Sequence, residues 1–204
     1  MALLVVLVLC CALAATAAGS GRPNQHVTIF SDSSGASLDW DSTAKRIVEH
    51  GNRVLFELHP CGRLVQPGCI SPPPPSVLSV VRALGHRIGP TAIVFVGYND
   101  SPSIYRAGIP TVMRAMRNHG VKHVLWLTLR AVSSQYVDIN HAIYAAKKRW
   151  SMMRVLDWNR YSANHSSWFS GDGIHMSGAG AIGFATYVHR SLKRLGLTGP
   201  KRTG

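Results

Sequence analysis

Val27-Thr28-Ile29-Phe30-Ser31-Asp32-Ser33-Ser34-Gly35 is the stretch that decides the fold. Its first four residues are apolar or β-branched, which is typical of a buried strand. Four small polar residues follow, and a segment with helical spacing then runs from Ser37 to His50. A strand that turns directly into a helix is the unit from which α/β domains are built.

The same alternation of short and long segments continues along the chain. Several of the short runs are apolar without alternation, as in strands that are covered on both faces of a parallel sheet. We therefore predict an α/β fold with a central, mostly parallel five-stranded sheet. The further strands are predicted at Arg53–Leu58, Ala92–Val96, His123–Thr128 and Arg154–Asp157, and the further helices at Ser76–Leu84, Ile104–Arg117, Ile139–Trp150 and Gly178–Leu195.

The length of 204 residues suits one domain. Residues 1–20 carry no charged side chain and pass from a leucine- and valine-rich run into small residues, which predicts a signal peptide and an exported protein. No Lys or Arg precedes the apolar run, and an uncleaved membrane anchor is the alternative. We expect the folded domain at residues 21–195 and a flexible basic tail at residues 196–204.

Four cysteines are present, and two of them, Cys10 and Cys11, fall in the predicted signal peptide. The remaining pair, Cys61 and Cys69, is expected to form a disulfide, because an exported protein meets an oxidising environment. Neither the number nor the spacing of the cysteines suggests zinc, and the sequence implies no metal or organic cofactor.

The chain is strongly basic, with 22 Lys and Arg against 9 Asp and Glu and a net charge of +13. Such an excess favours anionic partners, among them an acidic cell-wall polymer. The basic residues are mostly scattered singly, so a solvated basic surface without a specific partner is the alternative. Export argues against a nucleic acid partner.

Polar residues follow the predicted strands at the edge of a parallel sheet where reactive groups gather. Ser33 stands at the first strand end, and Asn99 lies in Gly97-Tyr98-Asn99-Asp100 after the third. Near the last helix, Asp172 precedes His175 by three residues and can orient its imidazole. A serine needs such a base to become a nucleophile, although helix capping would also explain Ser33, and a surface loop would explain Asp172 and His175.

Taken in order, these motifs resemble the blocks of the SGNH/GDSL hydrolases. Ser31-Asp32-Ser33 stands where that family has Gly-Asp-Ser, Gly97 to Asp100 matches its Gly-x-Asn-Asp block, and Asp172 to His175 its Asp-x-x-His block. Gly62 is the candidate for the family's second glycine block. The resemblance spans roughly residues 27–195 and implies a three-layer, flavodoxin-like fold.

The resemblance also implies a serine esterase, a carboxylic ester hydrolase. Ser33 would be the nucleophile, His175 its base and Asp172 the orienting acid. The backbone N–H groups of Ser33 and Gly62 and the side-chain amide of Asn99 would form the oxyanion hole.

One departure from the family pattern is Ser31, which replaces the first glycine of the block. Its side chain is expected to crowd the turn or narrow the pocket, and it leaves Ser34 as an alternative nucleophile. The disulfide between Cys61 and Cys69 would frame Gly62 and hold the oxyanion loop, with stabilisation alone as the alternative.

The substrate is less closely defined by the sequence. Asp157-Trp158 and Trp168-Phe169 resemble the C-terminal part of SGNH domains that handle O-acetyl groups on cell-wall glycans, although aromatic residues are commonly just buried. We predict removal of a small acyl group from a glycan or small-molecule ester. The alternatives are an O-acyltransferase, a lipase or thioesterase on the same fold, and a non-catalytic glycan-binding protein.

Overall fold

The computed structural model describes residues 25–199. The predicted signal peptide at residues 1–20, with Cys10 and Cys11, and the last five residues lie outside this range. Within residues 25–199, no helix combines the length and the apolar character needed to cross a membrane.

A five-stranded parallel sheet forms the centre of the molecule, with the strand order β2-β1-β3-β4-β5. This is the flavodoxin-like order, and it confirms the predicted α/β class. Each predicted strand overlaps an observed one. The strands are β1 Gln25–Ser31, β2 Asn52–Leu58, β3 Thr91–Phe95, β4 His123–Leu127 and β5 Met153–Leu156.

Helices cover both faces of the sheet, α2 packing against α7 on one face and α4 against α3 and α5 on the other. Their apolar residues close the core on β3 and β4, whose side chains are almost completely buried. The helices are α1 Ser37–Trp40, α2 Ser42–Glu49, α3 Val77–Leu84, α4 Pro102–Asn118, α5 Ser134–Lys147, α6 Trp158–Tyr161 and α7 Gly178–Arg194.

Two helix boundaries differ from the prediction by the most. The single helix predicted from Ser37 to His50 is interrupted at Asp41, whose backbone is extended and whose carboxylate accepts a hydrogen bond from the Ala44 N–H at 2.9 Å. Asp41 therefore caps a new helix instead of continuing the first. Helix α5 begins five residues before the predicted start at Ile139, because its first turn is mostly solvent-exposed and shows no apolar pattern.

Past α7 the chain stays packed on the domain for several residues. Leu197 is buried, and the N–H of Gly199 donates to the carbonyl of Gly51 at 2.7 Å. The domain, predicted to end at residue 195, thus continues to Gly199, and the flexible tail stays a prediction for the residues that follow.

Candidate active site

The turn after β1 presents Ser33 at the carboxyl edge of the sheet. Ser31 is the last residue of the strand, Asp32 caps the next turn, and Ser33 opens a short 3-10 helix that ends at Gly35. Ser33 is half-buried while its neighbours on both sides are buried, so this one hydroxyl of the turn faces solvent.

The structure brings Ser33, His175 and Asp172 together in one hydrogen-bonded chain. The Ser33 Oγ lies 2.9 Å from His175 Nε2, and His175 Nδ1 lies 2.5 Å from Asp172 Oδ2. With its proton on Nδ1, the imidazole donates to the carboxylate and leaves Nε2 to accept the serine proton. This is the geometry of a nucleophile, its base and an orienting acid.

Hydrogen bonds keep the Asp172 carboxylate ionised. Partial burial raises the pKa of Asp172, but the His175 side chain and the backbone N–H groups of Ile174 and His175 outweigh it and lower the pKa to about 2. The two N–H groups reach Oδ1 at 2.8 and 3.1 Å, so the carboxylate also shapes the turn that carries the histidine.

The loop with Asp172 and His175 is anchored at its base. Phe169 and Met176 form an antiparallel bridge, and the Ser170 N–H donates to the His175 carbonyl at 2.8 Å. Arg130, from the end of β4, places its guanidinium carbon 4.0 Å from the centre of the Phe169 ring. The imidazole is therefore positioned by a closed loop and not by a free surface segment.

Sequence reasoning missed the role of the Asp32 side chain. This carboxylate is fully buried, and its Oδ1 accepts from the Ser34 N–H at 2.9 Å and the Ser34 hydroxyl at 2.6 Å. Its Oδ2 accepts from the N–H groups of Gly97 and Tyr98 at 3.1 and 3.2 Å. Burial raises the pKa of Asp32, and these hydrogen bonds act against that rise. The only signal in the sequence was its place between two serines.

The alternative nucleophile Ser34 is fully buried, and its hydroxyl is taken up by Asp32. A substrate cannot reach it, so Ser33 is the accessible hydroxyl.

The side chain of Ser31 points away from the pocket, contrary to the expected crowding. Its hydroxyl donates to the Phe95 carbonyl at 2.9 Å. It occupies space that Gly35 leaves free, since a Cβ at residue 35 would lie 2.3 Å from Ser31 Oγ. The serine at this position is thus accommodated by the glycine four residues later.

The three predicted oxyanion donors differ in whether their N–H groups are already hydrogen-bonded within the protein. No hydrogen bond within residues 25–199 takes up the Ser33 N–H. The Asn99 amide donates to the Gly62 carbonyl at 3.2 Å, which leaves its second N–H for a ligand. The Gly62 N–H donates to the His59 carbonyl at 2.7 Å. The oxyanion role of the Gly62 N–H stays a prediction. It requires that this N–H be shared with the His59 carbonyl or freed from that hydrogen bond.

The loop with Gly62 is closed by a disulfide between Cys61 and Cys69, whose Cα atoms are 5.3 Å apart. Cys61 adopts a left-handed backbone with φ of 62°, and a Cβ at residue 62 would lie 2.7 Å from the His59 carbonyl. Only glycine fits there without displacing backbone. Cys69 Sγ lies 3.6 Å from Asn99 Oδ1, so the disulfide touches the predicted oxyanion amide.

A second buried carboxylate supports the same loop. Asp100 accepts from the Leu64 N–H at 3.1 and 3.2 Å, and Arg63 donates to the Asn99 carbonyl at 2.9 Å. Burial raises the pKa of Asp100 to about 6, although the Leu64 N–H acts to lower it. The Gly-x-Asn-Asp block thus holds the loop as well as supplying the amide.

The aromatic pairs noted in the sequence serve mainly as packing. Trp158 is fully buried and stacks on Trp168 with their rings 5.9 Å apart. Phe169 is buried as well, and His165 covers the Trp168 ring at 3.8 Å. The sequence left two alternatives for these aromatic residues, contact with a glycan or simple burial, and their packing agrees with burial. In the described part of the chain, no group of three or more His, Cys, Asp or Glu side chains is placed to hold a metal ion.

Solved structures of low sequence identity share this architecture. TesA superposes with a TM-score of 0.65 at 17% identity and covers 84% of this chain and 99% of its own. A serine-to-alanine mutant of an acetyl esterase with acetate ion gives 0.61 at 13% identity, with 84% and 97% covered. The Clostridium thermocellum family 3 carbohydrate esterase gives 0.57 at 11% identity, with 84% and 96% covered.

These neighbours are SGNH/GDSL-type hydrolases, and the chain has the SGNH hydrolase fold. No protein-family model matches the sequence. A 57-residue segment is 32% identical to a Staphylococcus aureus strain MSSA476 protein that is named as an O-acetyltransferase. A protein of strain MW2 with the same name gives the same match. The segment is 28% of this chain and spans 9% of the length of each relative.

Proposed function

We propose that this protein is a serine esterase that hydrolyses carboxylic esters through an acyl-Ser33 intermediate. The observation that carries the proposal is the chain of hydrogen bonds from Ser33 Oγ to His175 Nε2 and from His175 Nδ1 to Asp172 Oδ2. Such a chain at the accessible turn of this fold is the arrangement that activates a serine for acyl transfer.

In the first half of the reaction, Ser33 Oγ attacks the ester carbonyl while its proton passes to His175 Nε2. Asp172 stabilises the imidazolium without taking its proton. The oxyanion of the tetrahedral intermediate is held by the Ser33 N–H and the free N–H of Asn99. His175 then protonates the departing alcohol, and the acyl group remains on Ser33.

In the second half, His175 takes a proton from water, and the resulting hydroxide attacks the acyl carbonyl. The Ser33–acyl bond breaks, Ser33 recovers its proton from His175, and a carboxylic acid is released. An acceptor hydroxyl in place of water would give a transferred ester instead, so the same residues support both outcomes.

The exposure of the site favours a bulky alcohol component. The His175 and Asp172 side chains are 48% and 44% exposed, so the relay lies on an open surface and not at the bottom of a tunnel. An open site admits a polymer, and the acyl group alone has to reach Ser33. We therefore propose a small acyl group, such as O-acetyl on a glycan, as the substrate.

An O-acyltransferase is the second candidate, favoured by the Staphylococcus aureus proteins that carry this name. A lipase or thioesterase remains a variant of the same chemistry. The non-catalytic glycan-binding alternative has less support, because such a protein has no need for a complete hydrogen-bonded relay.

Export is proposed together with the activity. The uncharged first 20 residues and the disulfide between Cys61 and Cys69 both suit a protein outside the cytoplasm. N-terminal sequencing of the mature protein from the culture medium tests this. A start between residues 18 and 21 is expected, whereas a protein that keeps Met1 and stays in the cell would contradict it.

The activity is tested with p-nitrophenyl acetate, butyrate and octanoate on oxidised protein. We expect the acetate to be preferred and Ser33→Ala to lose at least about a thousandfold in kcat/KM. Each ester is also supplied with a glycan acceptor, and transfer is detected by mass spectrometry. Turnover that survives in Ser33→Ala, or no turnover of any ester with or without acceptor, would contradict the proposal.

A further inference from the structure

A groove lies between α4 and α5, in the helix layer on the face of the sheet opposite α2 and α7. Its volume is about 320 Å³, within the range of small-molecule sites. The floor is apolar and consists of Ile109 and Pro110 from α4 and small alanines from α5, and Trp150 borders it just past the end of α5.

Three cations surround this floor. Arg106, Lys148 and Arg149 all line the groove and are exposed, and no lining residue is acidic. Among residues 25–199, none of the three forms a salt bridge or a side-chain hydrogen bond. Their positive charge is therefore free to act on a ligand.

The helix dipoles do not explain why all three cations lie at this groove. Lys148 and Arg149 follow the last residue of α5, where a helix dipole stabilises cations. Arg106 lies instead in the second turn of α4, where the dipole gives a cation no such stabilisation. The convergence of charges from two helices on one apolar floor points to an anionic occupant.

Trp150 gives the groove a flat, half-buried aromatic wall. Arg117, which does not line the groove, lies over the Trp150 ring at 5.5 Å and restricts its orientation. A restricted aromatic ring offers a stacking surface for the C–H face of a sugar, and guanidinium groups bind carboxylates through paired hydrogen bonds. The phosphatidylglycerol headgroup matches the charges but presents no ring to the tryptophan.

We propose that the α4–α5 groove binds a carboxylate-bearing unit of an acidic glycan and holds the protein on an anionic polysaccharide. The sugar ring stacks on Trp150, and its carboxylate is bound by Arg106, Lys148 and Arg149. The groove is separate from the relay of Ser33, His175 and Asp172, so binding does not depend on catalysis.

Calorimetric titration with tetragalacturonic acid at low salt tests the site. The titrations use full-length Ser33→Ala protein, so that ester probes are not turned over. Adding Lys148→Gln and Arg149→Gln is expected to weaken binding at least tenfold. The matched control adds Arg82→Gln and Arg190→Gln instead, which removes two positive charges at exposed positions outside the groove. This control is expected to change the affinity less than twofold.

Further arms identify the ligand chemistry. The methyl ester of the same tetrasaccharide is expected to bind at least tenfold more weakly, and Trp150→Leu to weaken binding of the acid at least fivefold. Thermal unfolding of each variant verifies that it is folded. Vesicles of phosphatidylglycerol and phosphatidylcholine are expected to bind equally with or without the Lys148 and Arg149 changes.

Several results would overturn the proposal. These are no binding of the acid, equal weakening by both pairs of substitutions, equal binding of the methyl ester, or full binding by folded Trp150→Leu. Vesicle binding that depends on Lys148 and Arg149, without glycan binding, would assign the groove to a membrane surface.

Discussion

The buried carboxylate of Asp32 fastens the turn that carries Ser33 to Gly97, whose N–H donates to Asp32 Oδ2 at 3.1 Å. The other oxygen holds the N–H and hydroxyl of Ser34. One side chain therefore sets the distance between the turn that carries Ser33 and the strand end that leads to Asn99.

Asp32→Asn tests this fastening. In the variant, the amide nitrogen of residue 32 replaces one carboxylate oxygen and faces backbone N–H groups. Those buried N–H groups then have no acceptor. We expect a loss of about 2–4 kcal/mol in the free energy of unfolding, measured by urea denaturation, together with a fall in kcat. Asp39→Asn, which changes an exposed carboxylate, serves as the control. Equal stability of the two variants would show that Asp32 is not the fastening group.

Asn99 is expected to act on the oxyanion. Asn99→Ala removes an amide N–H, and loss of one such donor costs about 3 kcal/mol of transition-state stabilisation, or roughly a hundredfold in kcat. Steady-state kinetics with p-nitrophenyl acetate should show this with little change in KM. Asn118→Ala, at an exposed position at the end of α4, should leave kcat unchanged. A rise in KM at constant kcat would instead assign Asn99 to ground-state binding.

Asp100 makes stability depend on pH in an unusual direction. Its pKa is about 6 in the folded protein and about 3.8 when unfolded, so the folded state binds the proton more tightly. Ionisation of Asp100 therefore lowers the stability as the pH rises from about 4 to about 6, by up to about 3 kcal/mol.

Asp100→Asn removes this dependence, because an amide does not ionise in this pH range, and its oxygen can still accept from the Leu64 N–H. The difference in unfolding free energy between the variant and the wild type should shift in favour of the variant as the pH rises from 4 to 7. Urea titrations across that range measure it, with Asp138→Asn as an exposed control. A difference that stays constant with pH would contradict the raised pKa.

The disulfide is expected to stabilise the domain and support the oxyanion loop. Closing so short a loop contributes about 2–3 kcal/mol in the chain-entropy model. Cys61→Ser with Cys69→Ser should lower the free energy of unfolding by that amount. Because Cys69 contacts Asn99, kcat of the folded variant should also fall. Unchanged kcat at reduced stability would limit the disulfide to stabilisation.

The sheet was predictable because its strands are short and mostly apolar or β-branched, and because polar residues follow them in the sequence. The three blocks, in the order of the SGNH/GDSL pattern, also led to Ser33, Asp172 and His175, and the convergence of strand ends in a parallel sheet indicated where Ser33 would lie. The break at Asp41 was missed because an aspartate suits both a helix surface and a helix cap, and only the backbone angles distinguish the two.

Contacts between distant segments could not be inferred from the sequence. Nothing local indicates that the Ser31 hydroxyl reaches the Phe95 carbonyl beside the space left by Gly35. The hydrogen bond from the Gly62 N–H to the His59 carbonyl depends on the left-handed backbone of Cys61, a conformation that a cysteine rarely adopts. The first feature arises from tertiary packing, and the second from a tight turn whose backbone angles the residue types do not reveal.

Covalent trapping identifies the nucleophilic residue directly. Oxidised protein is incubated with p-nitrophenyl ethylphosphonate, and the adduct is located by peptide mass spectrometry in wild type, Ser33→Ala and Ser34→Ala. We predict one phosphonyl group on Ser33, absent in Ser33→Ala and still formed in folded Ser34→Ala. An adduct on another residue, or one that persists in Ser33→Ala, would contradict Ser33 as the nucleophile.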